Sequence, residues 1–82
     1  MENKKLIAIT GASSGIGAAM AKAFSLAGYP LLLMARRIEL MEAMILPNAI
    51  CKKVDVLDLE GMKDAISEAE EIHGKVDCMI NN

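Results

Sequence analysis

Between the apolar run Leu6-Ile7-Ala8-Ile9 and an alanine-rich stretch of helical periodicity lies Thr10-Gly11-Ala12-Ser13-Ser14-Gly15-Ile16-Gly17, and this glycine-bearing turn restricts the fold more than any other feature of the chain. A strand that reverses tightly into a helix needs one glycine at the reversal and a second where no Cβ can stand before a bound phosphate. It needs a third where the helix lies close on the sheet; Gly11, Gly15 and Gly17 fit these roles. The helix that follows would aim its unpaired N–H groups and the positive end of its dipole at an anion. A strand–turn–helix of this kind points to a dinucleotide pyrophosphate as ligand.

Apolar patterning supplies the remaining elements. Leu6 to Ile9 is apolar on both faces, as a strand covered by helices on each side must be. Ile16, Met20, Ala23, Phe24 and Ala27 recur at helical spacing and predict a helix over residues 15–27. Gly28 ends it as a natural C′ residue, which places Tyr29 against Phe24 in a Schellman ending. Leu31 to Ala35 reads as a second strand, cut off by Arg36-Arg37, and a short helix over residues 38–46 is closed by Pro47 and Asn48. Residues 49–56 read as a third strand, interrupted by Lys52 and Lys53. Asp58 is a good N-cap for a third helix, with Leu59, Met62, Ile66 and Ala69 on its inner face and Glu60, Lys63, Asp64, Glu68 and Glu71 turned outward. Gly74 ends that helix, and Val76 to Ile80 supplies a fourth strand before Asn81-Asn82.

Strand–helix alternation at these lengths, with right-handed crossovers, makes an α/β fold with a doubly wound, Rossmann-like parallel sheet. Its first four strands should lie in the order 3-2-1-4, with the ligand crevice at their carboxyl ends between strands one and four. The glycine turn and Asn81-Asn82 both arrive there.

These elements have a familiar counterpart. Thr10 to Gly17 resembles the TGxxxGIG cofactor motif of the short-chain dehydrogenase/reductase family, a more specific pattern than a bare GxGxxG. Asp55-Val56 looks like the family's adenine-contacting pair, and Asn81-Asn82 like the first half of its NNAG motif. The three appear in the family's order and span residues 10–82. The resemblance implies a cofactor site made of Thr10, Gly11, Ser13, Ser14, Gly15, Ile16 and Gly17, with Asp55, Val56 and Asn82 around the adenosine. Asp55 at a strand's carboxyl end would accept a hydrogen bond from the adenine amino group, or else serve as a solvated turn residue. Thr10 would hold the glycine turn through its hydroxyl, and Asn81 and Asn82 would tie strand four to its neighbours and wall the pocket.

The end of strand two decides the form of the cofactor. An acidic residue there would accept hydrogen bonds from the ribose 2′-hydroxyl and repel a 2′-phosphate. This chain has Ala35 in that place, then Arg36 and Arg37. A guanidinium grips phosphate bidentately, and each charge-assisted bond is worth roughly 1.5–3 kcal/mol. NADP(H) is therefore expected over NAD(H), with Ser13 and Ser14 as further hydroxyl donors. A cation at a helix start is otherwise mildly unfavourable, which counts against a purely solvated role for the pair.

Composition narrows the alternatives. A formal net charge of −2, with Lys4-Lys5 and Lys52-Lys53 only as pairs, lacks the clustered positive face of a nucleic-acid binder. The four apolar residues after Lys5 are too few for a secretory segment, and no run approaches the ~20 residues of a bilayer span. A cytoplasmic location is the expectation. Ala18-Ala19 after the last glycine excludes a P-loop. Cys51 and Cys78 lack metal-type spacing, would lie about 14 Å apart across three strand steps, and read as small buried thiols.

Catalytic chemistry is not visible. The family resemblance implies hydride transfer between a nicotinamide and an alcohol/carbonyl substrate, with a tyrosine, a lysine and a serine that would follow residue 82. Tyr29, the sole tyrosine, is followed by Pro30-Leu31-Leu32-Leu33, so no YxxxK pattern exists. With 82 residues, 54% of them hydrophobic, the chain reads as the amino-terminal part of one NADP-binding Rossmann domain, residues 1–82, whose catalytic part lies elsewhere. The alternative is a complete, non-catalytic NADP(H)-binding module or regulator. In relatives the helices that build dimers and tetramers also follow this region, so a homo-oligomer is expected of the full-length form.

Overall fold

A computed structural model describes residues 4–13 and 15–82. Its elements run β1 (Leu6–Thr10), α1 (Gly15–Leu26), β2 (Leu31–Ala35), α2 (Ile38–Glu42), β3 (Ala49–Lys53), α3 (Leu59–His73) and β4 (Val76–Ile80). The four strands form one parallel sheet in the order β3-β2-β1-β4, as the crossover argument requires. None of the described helices is long and apolar enough to cross a membrane.

The two faces of the sheet carry separate cores. Ile7, Ile9, Leu31, Leu33 and Ala35 point to one side, where α1 and α2 contribute Ala21 and Met41. Leu6, Ala8, Leu32 and Met34 point to the other, where Ala65 and Ala69 of α3 meet them. Alternate residues of β1 and β2 thus serve different cores, which is why both strands read as unbroken apolar runs.

The ending of α1 follows its sequence signal closely. The Tyr29 N–H donates to the Phe24 carbonyl at 3.1 Å, and the two rings meet edge to face with centroids 5.7 Å apart. Its inward face does not follow the signal. Ile16 is 71% exposed and Ala23 and Ala27 are also exposed, while the buried positions are Gly17 and Ala21, flanked by Met20 and Phe24. Small residues win because the start of α1 presses on the turn: a Cβ on Gly17 would overlap the Gly11 carbonyl oxygen.

Two further boundaries and one helix face differ from expectation for local reasons. α2 stops at Glu42 rather than residue 46, because the chain tightens into i→i−3 bonds, Met44 N–H to the Met41 carbonyl and Ile45 N–H to the Glu42 carbonyl. β3 stops at Lys53 rather than residue 56: Val54 still donates to the Ala35 carbonyl at 3.1 Å, but Asp55 then folds the chain into a turn. Its lysines are accommodated at the sheet edge, Lys52 pairing with Glu68 of α3. In α3, Leu59 is 71% exposed instead of buried, since the inner face is centred on Ala65 and Ala69 with Met62 and Ile66 beside them. The expected N-cap is present, Asp58 accepting from the Gly61 N–H at 3.0 Å.

β4 is the outer strand on one side, and its central residues Asp77, Cys78 and Met79 are exposed. Cys78 is therefore a surface thiol, not the buried one expected. Cys51 is half-buried on β3, and burial together with the nearby Glu42 carboxylate raises its thiol pKa, so it stays protonated. The two remain free on strands three places apart.

Two stability measurements check these packing assignments in the intact protein. Gly17→Ala should cost about 1–3 kcal/mol in chemical denaturation, because the new methyl has only backbone to displace. Asp58→Ala should cost about 0.5–2 kcal/mol while Asp58→Asn retains most of the cap.

Candidate functional site

The carboxyl ends of all four strands open into one cleft of about 880 Å³. Gly11 and Ser13 line it from the turn after β1, Arg36 and Arg37 from the end of β2, Asp55 and Val56 from the turn after β3, and Asn82 from the end of β4. Seven of the residues singled out in the sequence, from four separate places in the chain, therefore share one surface.

Thr10, Gly15, Ile16 and Gly17 are not on that wall. Thr10 is buried behind it, 1% exposed, and acts differently from expectation. Its hydroxyl accepts from the Asn82 N–H at 3.1 Å and lies 3.4 Å from the Ile80 carbonyl oxygen, to which it donates, so it fastens β1 to the end of β4. The glycine turn is held by other groups: the Asn82 side-chain amide donates to the Gly11 carbonyl at 3.1 Å, and the Ala12 N–H donates to the Met34 carbonyl at 3.4 Å. Asn81 is exposed, with its Oδ1 3.5 Å from the Thr10 hydroxyl. Gly17 is buried under the turn; Gly15 and Ile16 are exposed at the start of α1. Ser14 lies outside the described residues.

Gly15 has φ +58, and beyond its chain neighbours and the backbone of its own helix no described atom lies within 4 Å of where its Cβ would be. That side of the first residue of α1 is open among the described residues. The first turn of α1 contains no acidic residue, so no side-chain carboxylate in that turn offsets the positive end of its dipole. A diphosphate fits such a cradle.

Arg36 and Arg37 are exposed, and neither guanidinium has a hydrogen bond or ion pair among the described residues. Arg37 occupies the N-cap position of α2 with no side-chain capping bond. Neither guanidinium serves the fold, and both are available to an anion in the cleft. Asp55 is partly committed: its Oδ1 accepts from the Leu57 N–H at 2.9 Å, whereas Oδ2 has no partner among the described residues. One carboxylate oxygen makes the turn and the other faces solvent.

The cleft is also lined by Ala35, Leu40, Val54 and Leu57. Of these only Ala35 was legible as part of the site. Leu40 sits beside the buried Met41 on a short helix, and Leu57 lies between two aspartates, so each reads in sequence as helix filler or loop. The one available signal was a leucine with no periodic partner, inside an acidic turn.

The chain matches the short chain dehydrogenase family over residues 5–82. The oxidoreductase Lmo0432 of Listeria monocytogenes is 42% identical over 84 residues, covering 95% of this chain and 34% of that protein. A short chain dehydrogenase from Bacillus anthracis superposes with a TM-score of 0.87 at 30% identity, over 95% of this chain and 34% of that one. The 3-ketoacyl-(acyl-carrier-protein) reductase of Brucella melitensis, solved in complex with NADH, gives a TM-score of 0.84 at 30% identity, over 94% and 33% of the two chains. The chain spans about a third of the length of the relatives it matches. A match that takes in nearly every residue, on a sheet of the same strand order and with the glycine turn in place, makes the chain a member of the short-chain dehydrogenase/reductase family.

Proposed function

We propose that this chain is the NADP(H)-binding portion of an oxidoreductase that moves a hydride between a nicotinamide and an alcohol/carbonyl substrate. The observation that carries the reading is a pair of guanidinium groups with no partner among the described residues, lining the same cleft as Gly11 and Ser13 of the glycine turn. The Brucella reductase carries NADH, so the choice of cofactor form rests on Arg36, Arg37 and Ser13 of this chain rather than on family likeness.

When bound, the nicotinamide would supply the hydride; the residues of this chain hold the other end of the molecule. The N–H groups at the start of α1, next to Gly15, take the diphosphate. Arg36 and Arg37 take the 2′-phosphate, with the Ser13 hydroxyl as an additional donor, and Ser14 is assigned the same role from its place in the motif. Asp55 Oδ2 accepts from the adenine amino group, beside Val56. Asn82 and Thr10 tie the turn and β1 to the end of β4 and so set the floor of the cleft on which the ligand would lie. A cytoplasmic location and a homo-oligomeric full-length form complete the proposal.

Two experiments test it on the full-length protein. Gly15→Val should abolish NADPH-dependent thermal stabilisation, because the side chain would stand in the phosphate space, and should also lower the unliganded melting temperature, because φ +58 strains a β-branched residue; undiminished stabilisation would reject the cradle. Arg36→Asp combined with Arg37→Ala should reverse the preference from NADP(H) toward NAD(H), with a tenfold to hundredfold loss for the phosphorylated form measured by calorimetric titration. Unchanged selectivity would reject the arginine assignment.

A further inference from the structure

Two consecutive lysines close β3, and the alternation of a strand sends them to opposite faces of the sheet. Lys52 stands beside Met34, whose side chain belongs to the core under α3, and it pairs with Glu68 of that helix. Lys53 stands beside Ala35, whose side chain belongs to the other core, so it lies on the α2 side. It is exposed and has no ion pair among the described residues. The Glu42 carboxylate of α2, near enough to raise the Cys51 thiol, acts two residues earlier on that side of the strand and does not pair with Lys53.

Lysines are common on edge strands, where they discourage pairing with another chain, and β3 is the outer strand of the described sheet. Position gives Lys53 a further use. Its neighbour Ala35 lines the cleft and leads into Arg36 and Arg37, and adjacent strands lie only about 4.8 Å apart. Lys53 is not itself on the cleft wall. It is a cation at the rim, one strand away from the arginine pair.

We propose that Lys53 steers the 2′-phosphate of NADP(H) toward the cleft, acting through its charge on the rate of association and not through a contact in the bound state. The proposal rests on the NADP(H) reading above and adds a kinetic determinant of cofactor selection that lies outside the cleft. The chain carries a formal net charge of −2, so its mean field repels an anionic nucleotide and local cations decide where one approaches. Asp55 on the cleft wall opposes that local field, and Lys53 offsets it from two residues away. A rim charge changes the on-rate and its salt dependence, whereas a charge in direct contact changes the off-rate. That difference separates the role of Lys53 from the role given to Arg36 and Arg37.

The test follows association and dissociation of NADPH and NADH with the full-length protein by stopped-flow nicotinamide fluorescence, in Lys53→Ser, Lys53→Glu and Lys75→Ser. Lys75 precedes β4 at the amino end of the sheet, away from the cleft. At about 10 mM salt, where charges act over ~30 Å, Lys53→Ser should slow NADPH association about threefold and Lys53→Glu about tenfold. NADH should be slowed less, and dissociation of both should stay unchanged. Lys75→Ser should remain within about 1.5-fold of wild type, because its charge is more distant. At about 1 M salt, where the range falls to ~3 Å, all variants and wild type should associate at one rate. Association of NADPH within about twofold of wild type in Lys53→Glu at low salt would overturn steering and leave the NADP(H) reading standing. Slowing in Lys75→Ser equal to that in Lys53→Ser, a loss confined to dissociation, or a loss that persists at high salt would do the same. A wild-type protein that binds neither nucleotide would overturn both proposals.

Discussion

The contact between the start of α1 and the turn after β1 governs the rest of the molecule. Gly17 lies against the Gly11 carbonyl with no room for a side chain, so the helix axis is drawn in toward the sheet and its first turn comes to rest at the end of β1. From that contact follow the rotation of α1 that buries Ala21 and leaves Ile16 outside, and the open side of Gly15. An amino-terminus held one side chain further away would present the same N–H groups to open water. Close packing here is a means of aiming a dipole.

The charges near the cleft divide into two kinds. Lys52 is satisfied by Glu68 at the β3 edge, a surface pair of the sort that contributes at most about 1 kcal/mol. Among the described residues Arg36 and Arg37 have no such partners where β2 ends, and Arg37 sits at a helix start that would be better served by an acid or a hydroxyl. Two exposed cations that contribute nothing visible to the fold, one of them at a mild dipole penalty, are what the proposed contact with a dianionic phosphate calls for.

Much of this was legible in the residues, because the informative signals were local. The glycine spacing, the abrupt charge at Arg36, the Asp58 cap and the Gly28-Tyr29 ending each depend on a few neighbours, and the strand order follows from crossover handedness. What escaped depends on contacts between distant segments. The inner face of α1 could not be read from hydrophobicity, since Gly17 and Ala21 are buried by proximity to the turn rather than by their own apolar area. The end of β3 was set by a side chain, Asp55, that competes with the ladder for the backbone. The role of Thr10 depended on knowing what stands opposite, and that is a residue at the far end of the chain.

That last link has a kinetic meaning. Thr10 and Asn82 are 72 positions apart, and the bond between them can close only after three strand–helix–strand crossovers have wound into place. Contacts of such long range are made late, because the loop entropy they cost is recovered only when the intervening elements are already ordered. The floor of the nucleotide cleft is consequently among the final parts to assemble. Competence to bind would then report that these four strands have come together, and a ligand that grips this floor would favour the state in which the Thr10–Asn82 link is closed.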